Sequence, residues 1–236
     1  YTIPAPAQMY QQMIVPQNIE QTRKFYATDE ELIEDIGKAY QDVIKQFYAA
    51  GCRNLQLDDC TWGAIVGDVA KQRYQSLGVD IEEVKARLLK VNNLALENRP
   101  EDMVITSHIC RGNYHSTFFT SGPYDSVADY VFAQEHVDAL LLEYDDERSG
   151  GFAPLAKVSP DKKVVLGLIT TKKPELEDKD KVIARIREAA KYIPLDRLCL
   201  SPQCGFASCE IGNKLTEEQQ WAKLALVKEI AKEVWK

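Results

Sequence analysis

The chain has 236 residues, 45% of them hydrophobic and 28% charged, with a formal net charge of −7, which is enough sequence for one sizeable core in a single domain over residues 1–236. The acidic balance excludes nucleic acid as the main partner, because neutralising phosphates needs a basic face; no apolar run approaches the ~20 residues that span a bilayer, and no charged-then-apolar leader opens the chain. A cytoplasmic protein is expected, with its six cysteines present as free thiols or metal ligands instead of a disulfide framework.

In chain order, Thr2 to Pro6 reads as a brief extended opening whose prolines forbid helix. Thr28-Asp29-Glu30-Glu31 is a capping box, and Leu32, Ile33, Ile36, Tyr40, Val43, Ile44 and Phe47 keep a helical period until Gly51. Asn54 to Asp59 is a strand, followed by a loop around Thr61-Trp62-Gly63 and helices near Ile65 to Gln75 and Ile81 to Leu96, closed by Pro100. Met103 to His108 is a β-branched strand. Asp125 to Gln134 reads as helix, Ala139 to Tyr144 as strand, Phe152 to Leu155 as one turn, and Lys163 to Ile169 as strand. Lys179 to Lys191 is an amphipathic helix, Arg197 to Ser201 the last strand, and Thr216-Glu217-Glu218-Gln219 caps a helix that runs to the C-terminus.

Strands separated by helices mean parallel βαβ units, and six strand–helix units are present. The strands read as continuous apolar runs, the pattern of a parallel sheet buried on both faces. No G-x-G-x-x-G and no phosphate loop suggests a nucleotide crevice. The expected class is α/β, a (β/α)8 TIM barrel lacking its first two βα units: the chain opens at Tyr1 without an initiator Met, and the sequence fits the C-terminal six-eighths of a barrel.

Barrel active sites lie at the C-terminal ends of the strands. Those ends carry Asp58, then His108 and Cys110, then Glu143, then Thr170, then Cys204. His108 and Cys110 are two apart in an extended run, so both side chains share one face. Alone, that pair reads better as a buried structural His beside an inert core Cys than as a metal site. With Glu143 and Cys204 on the same rim, four residues of zinc-ligand type converge, and zinc is the ion that N, S and O donors of this kind hold in fours.

The ordered set His108-x-Cys110, Leu142-Glu143 and Pro202-x-Cys204-Gly205, with Leu55-Gln56-Leu57-Asp58, resembles the catalytic barrel of cobalamin-independent methionine synthase, in particular its short single-barrel relatives. The resemblance covers nearly the whole chain. It implies a zinc held by His108, Cys110, Glu143 and Cys204, a homocysteine thiol activated on it to make methionine, and Asp58 holding that amino acid's ammonium group. It further implies small-molecule partners only, the thiol and a methyl donor. Two positions depart from the family pattern. Thr170-Thr171 stands where the family has an acidic His after the seventh strand, and Tyr10 where it has a Trp after the third. The donor half of the reaction is therefore open between a folate, a methylated corrinoid and a sulfonium compound.

Other readings stand beside these. A related alkyl transfer to another thiol, of coenzyme M type or by epoxide opening, and a silent barrel with structural zinc both fit the ligand set. Tyr10 and Trp62 suit a substrate pocket or a mere cover for the barrel mouth. Asp58-Asp59 also suits helix capping. Cys52, Cys60 and Cys199 read as core or loop thiols, His115 and His136 as surface or loop residues, and Asp145 to Arg148 as a solvated loop with a local ion pair of little energetic weight.

Overall fold

The computed structural model describes residues 1–236. Six strands, β1 (Thr2–Pro4), β2 (Asn54–Asp59), β3 (Val104–Ile109), β4 (Ala139–Glu143), β5 (Lys163–Ile169) and β6 (Leu198–Pro202), form one sheet in sequential order. Every neighbouring pair is parallel. Helices α1 (Pro6–Ile14), α2 (Ile19–Thr22), α3 (Asp29–Ala49), α4 (Cys60–Ala64), α5 (Gly67–Ser76), α6 (Ile81–Ala95), α7 (Asp125–Ala128), α8 (Val131–Gln134), α9 (Lys179–Ala189) and α10 (Glu217–Val234) fill the connections. This is the strand order of a (β/α)8 barrel wall, of which the chain forms a six-stranded arc with β1 and β6 at its edges.

The strand boundaries follow the apolar runs closely, since β2 and β5 begin and end where the sequence places them. Both capping boxes form. The Thr28 hydroxyl accepts from the Glu31 amide and the Glu31 carboxylate accepts from the Thr28 amide; Thr216 and Gln219 repeat the exchange at α10. A single cluster of 44 buried residues makes one contiguous core between the sheet's outer face and the helices.

Four expectations need correction. The opening is extended only as far as Pro4; Pro6 starts α1, because a proline at the first helical position has no amide bond to lose. The supposed loop at Thr61 to Gly63 is helix α4, because the Asp59 side chain accepts from the Thr61 amide at 2.8 Å and caps it. Asp125 to Gln134 divides into α7 and α8. The strands are also not buried on both faces. In β2, Leu55 and Leu57 are buried against the helices, while Gln56 and Asp58 on the other face are only half-buried. Thr106, Leu141 and Val165 show the same partial exposure in β3, β4 and β5. An arc that does not close leaves its inner face accessible.

Candidate metal centre

The inner face of the sheet ends in the predicted residues. His108 lies in β3 and Cys110 follows that strand by one residue. Glu143 is the last residue of β4, and Cys204 lies two residues beyond β6. Parallel register brings the strand ends level: Asp58 pairs with His108, His108 with Leu141, and Glu143 with Gly167. One donor atom from each of His108, Cys110, Glu143 and Cys204 lies within 4.8 Å of every other. Tetrahedral zinc, with Zn–S near ~2.3 Å and Zn–N or Zn–O near ~2.0–2.2 Å, needs donors spaced by about 3.3–3.8 Å, so small side-chain adjustments close the set.

Burial and hydrogen bonding fit a cation there. His108 is 4% exposed, and its Nε2 has no hydrogen-bond partner, an orphan that costs free energy unless something occupies it. The carboxylate oxygens near it are Glu143 Oε1 at 3.6 Å and Asp58 Oδ1 at 4.0 Å. Among the rim thiols, hydrogen bonds from Cys204 and Cys60 hold the Cys110 thiol well below the ordinary cysteine range, which is the response of a thiolate that neighbours stabilise. The cost falls on those neighbours, since Cys110 pushes both Cys204 and Cys60 up. Against burial, the same thiolate and Glu143 raise the His108 imidazolium to about 10. Burial, then Cys110, lifts Asp58 to about 6. Negative charge has been concentrated at a partly buried rim, and a divalent cation is the group that relieves it.

The supporting residues were not legible as such. Glu143 is fully buried, with Oε1 accepting from the Arg111 amide at 2.9 Å and Oε2 accepting from Arg148 Nη2 at 2.9 Å. Arg148 corrects the reading of a solvated loop. Its side chain is 4% exposed and also pairs with Asp145 Oδ1 at 2.7 Å and Asp146 Oδ2 at 2.5 Å, so Glu143, Asp145 and the guanidinium form a buried array with the exposed Asp146 at its edge. Cys204 is set by its neighbour. The Gln203 side-chain oxygen accepts from both the amide and the hydroxyl of Thr171, at 3.0 and 2.7 Å, and the Gln203 amide donates to Ile169 O. Cys60, taken as a core or loop thiol, stands against Cys110 at the rim.

The remaining candidates are not among the four donors. Thr170 sits past the end of β5, its amide donating to Glu177 Oε1 and its hydroxyl accepting from the Lys172 amide at 3.2 Å. Lys172 went unremarked in the sequence. Its ammonium is held by Gly112 O and Asn113 Oδ1, both at 3.2 Å, on the loop after Cys110. Trp62 is fully buried in α4, with its ring 6.4 Å from that of Tyr130. Tyr10 is 1% exposed, and burial followed by the Asp29 carboxylate pushes its hydroxyl up to about 12. His136 is exposed and His115 lies on the loop after β3.

Comparison with known proteins agrees with this arrangement. Residues 21–233 match the profile of the cobalamin-independent synthase catalytic domain. The uncharacterized protein YxjG of Bacillus subtilis is 50% identical over 213 residues, which are 89% of this chain and 56% of that protein; the chain thus spans little more than half of that relative. A Listeria monocytogenes structure, solved as a candidate vitamin-B12-independent methionine synthase, is 36% identical. It superposes with a TM-score of 0.75 over all of this chain and 63% of its own. A B12-independent methionine synthase from Shewanella, solved in complex with selenomethionine, shares the fold at 20% identity, with a TM-score of 0.67 over 99% of this chain and 61% of its own. On the extent of the profile match, and with the motifs at the strand ends in register, the chain belongs to the cobalamin-independent synthase family, as its catalytic domain.

Proposed function

We propose that this domain is a zinc-dependent S-methyltransferase that converts homocysteine to methionine. The observation that carries the reading is the four-donor cluster of buried His108, Cys110 and Glu143 with half-buried Cys204, around an imidazole nitrogen with no partner. It stands on the inner rim of a barrel whose family is that of cobalamin-independent synthases. Zinc bound there would lower the pKa of an incoming thiol and keep it as thiolate at neutral pH.

The protein's own residues do the rest. Two thiolates and a carboxylate bring three negative charges against the ion's two, so a further sulfur in the site keeps its electron density and its nucleophilicity. Asp58 receives the substrate ammonium and thereby fixes the distance from the amino acid's head to its sulfur, a role supported by its half-buried position beside His108. Glu143 is held at both oxygens, by the Arg111 amide and Arg148, so its carboxylate has a prepared resting place if a substrate sulfur displaces it. In the transfer itself a sulfur–carbon bond forms as the donor–methyl bond breaks, and the electron pair of the broken bond leaves with the donor.

Metal analysis with X-ray absorption tests this. One zinc per chain is expected, with one nitrogen, one oxygen and two sulfur neighbours, changing to three sulfurs when homocysteine is added. A four-ligand shell indifferent to homocysteine would reduce the zinc to a structural part and overturn the proposal.

A further inference from the structure

Cys60 is a rim thiol that the four-donor set does not use. The β2–β3 register pairs Asp58 with His108 and Asp59 with Ile109, and its continuation places Cys60 level with Cys110, whose amide donates to Asp59 O at 3.0 Å. The Asp59 cap turns the chain into α4 at this point, so Cys60 leaves the strand ladder and its sulfur is delivered to the rim. There the Sγ atoms of Cys60 and Cys110 and an oxygen of Asp58 lie within 4.8 Å of one another. Apart from His108, which belongs to the four-donor set, the arginine and lysine described at this rim are engaged elsewhere. Arg148 is bound to Glu143, Asp145 and Asp146, and Lys172 is held by Gly112 and Asn113.

We propose that Asp58, Cys60 and Cys110 form a second, weaker site for a thiophilic divalent cation, sharing the Cys110 sulfur with the first. Two sulfurs and a carboxylate oxygen are a donor set suited to zinc or its relatives, and thiolates commonly bridge two such ions. Binding replaces the proton of the Cys60 thiol by the metal and releases it, so Cys60 and Asp58 together offset the added double charge. Three circumstances make the site the weaker one: it has three protein donors in place of four, Asp58 and Cys60 are only half-buried, and the Cys110 sulfur is shared. A consequence rests on the functional reading given above. A cation at this site takes the Asp58 carboxylate that the substrate ammonium needs, so excess metal and the amino-acid substrate exclude each other.

Cobalt(II) titration of the metal-free, reduced chain reads this directly, since cobalt takes zinc's geometry and reports it spectroscopically. The first equivalent should give a high-spin resonance signal. The second should raise the sulfur-to-metal charge-transfer absorption while the resonance signal falls, because two ions sharing a thiolate couple magnetically. In Cys60→Ala and Cys60→Ser the first equivalent should bind as in the parent, which also reports that the variants fold. The second should weaken by at least about 100-fold, and the resonance signal should persist. Saturation of the parent at one equivalent, a second equivalent that survives Cys60→Ala, or a second equivalent that leaves the resonance signal undiminished would each overturn the proposal. Methionine, which carries the ammonium without a thiol, should weaken the second equivalent several-fold. If the second equivalent binds but ignores methionine, the second site stands and it is the assignment of Asp58 to the substrate ammonium that falls.

Discussion

At Cys204 the chemistry depends on one atom. The side chain is placed by Gln203, which Thr171 grips from the loop after β5, and a serine would occupy the same place with little strain. Its hydroxyl, however, stays protonated and is a poor partner for zinc beside a thiolate. Cys204→Ser is therefore expected to keep the fold and lose tight zinc binding, by at least two orders of magnitude in a competition assay with a chromophoric chelator. Full zinc occupancy in that variant would remove Cys204 from the ligand set. A second prediction turns on Thr170. Expelling a folate nitrogen requires protonation at or before methyl transfer, which suits a His with a pKa near ~6.5, whereas a Thr hydroxyl cannot supply a proton at neutral pH and this one already accepts from the Lys172 amide. Methylcobalamin or a sulfonium donor should accordingly methylate homocysteine faster than methyltetrahydrofolate at equal zinc loading. A clear preference for the folate would place the proton elsewhere, with the Lys172 ammonium, already over the loop that follows Cys110, the first group to replace.

Short elements aim the candidate ligands. Helix α4 presses on the end of β3 where Gly63 meets Cys110. A Cβ on Gly63 would stand 2.2 Å from the Cys110 carbonyl oxygen and 3.1 Å from its carbon, both backbone atoms that cannot swing aside. Gly63→Ala should thus displace Cys110, lowering zinc affinity at least tenfold alongside a stability loss of about 1–3 kcal/mol. Gly151→Ala, where an added Cβ meets nothing within 4 Å, is the control, and a Gly63→Ala protein that binds zinc as tightly as the parent would refute the coupling. The sequence shows why some of this was legible and some was not. His108, Cys110, Glu143 and Cys204 announce themselves by residue type at the ends of apolar strands, because strand period and parallel topology translate position into direction. Helix α4 was hidden. Thr61-Trp62-Gly63 has weak helix propensity, so the capping role that Asp58-Asp59 also suits did not by itself mark a helix, and it is the Asp59 cap that makes one. Arg148 was hidden for another reason: a run of acids around an arginine looks like solvent-exposed chain, and its burial depends on Glu143 five residues earlier, already inside the wall.

Across the whole molecule, a buried polar chain ties the helical shell to this rim. The Asn92 amide nitrogen donates to Asp59 Oδ2 at 2.8 Å and to Glu135 Oε1 at 2.7 Å, and its oxygen accepts from the Ala7 amide at 2.9 Å. One side chain of α6 thus joins α1, the end of β2 and the approach to β4. Asp59, Asn92 and Glu135 are all fully buried, and Glu135 Oε2 has no partner. No period or motif marks Asn92 as anything but a helix residue, so this network was beyond reach of the sequence. Its energetics are strongly pH-dependent. Burial, then the Asp59 carboxylate, lifts Glu135 to about 8 from an ordinary value of 4.5. Because the folded pKa lies above the unfolded one, the native state holds a proton that the unfolded chain releases between about pH 4.5 and 8. Stability from this group therefore falls as pH rises through that window and levels off above it. Glu135→Gln fixes the side chain neutral while keeping an oxygen for Asn92. Relative to the parent it should gain stability with rising pH, by an amount on the order of a few kcal/mol between pH 5 and 8. Urea unfolding of both proteins at those two pH values measures the difference. A gap that does not widen with pH would mean that Glu135 is ionised in the native protein, with its charge balanced by another group, of which Lys162, 3% exposed and acting to lower the Glu135 pKa, is the nearest in kind.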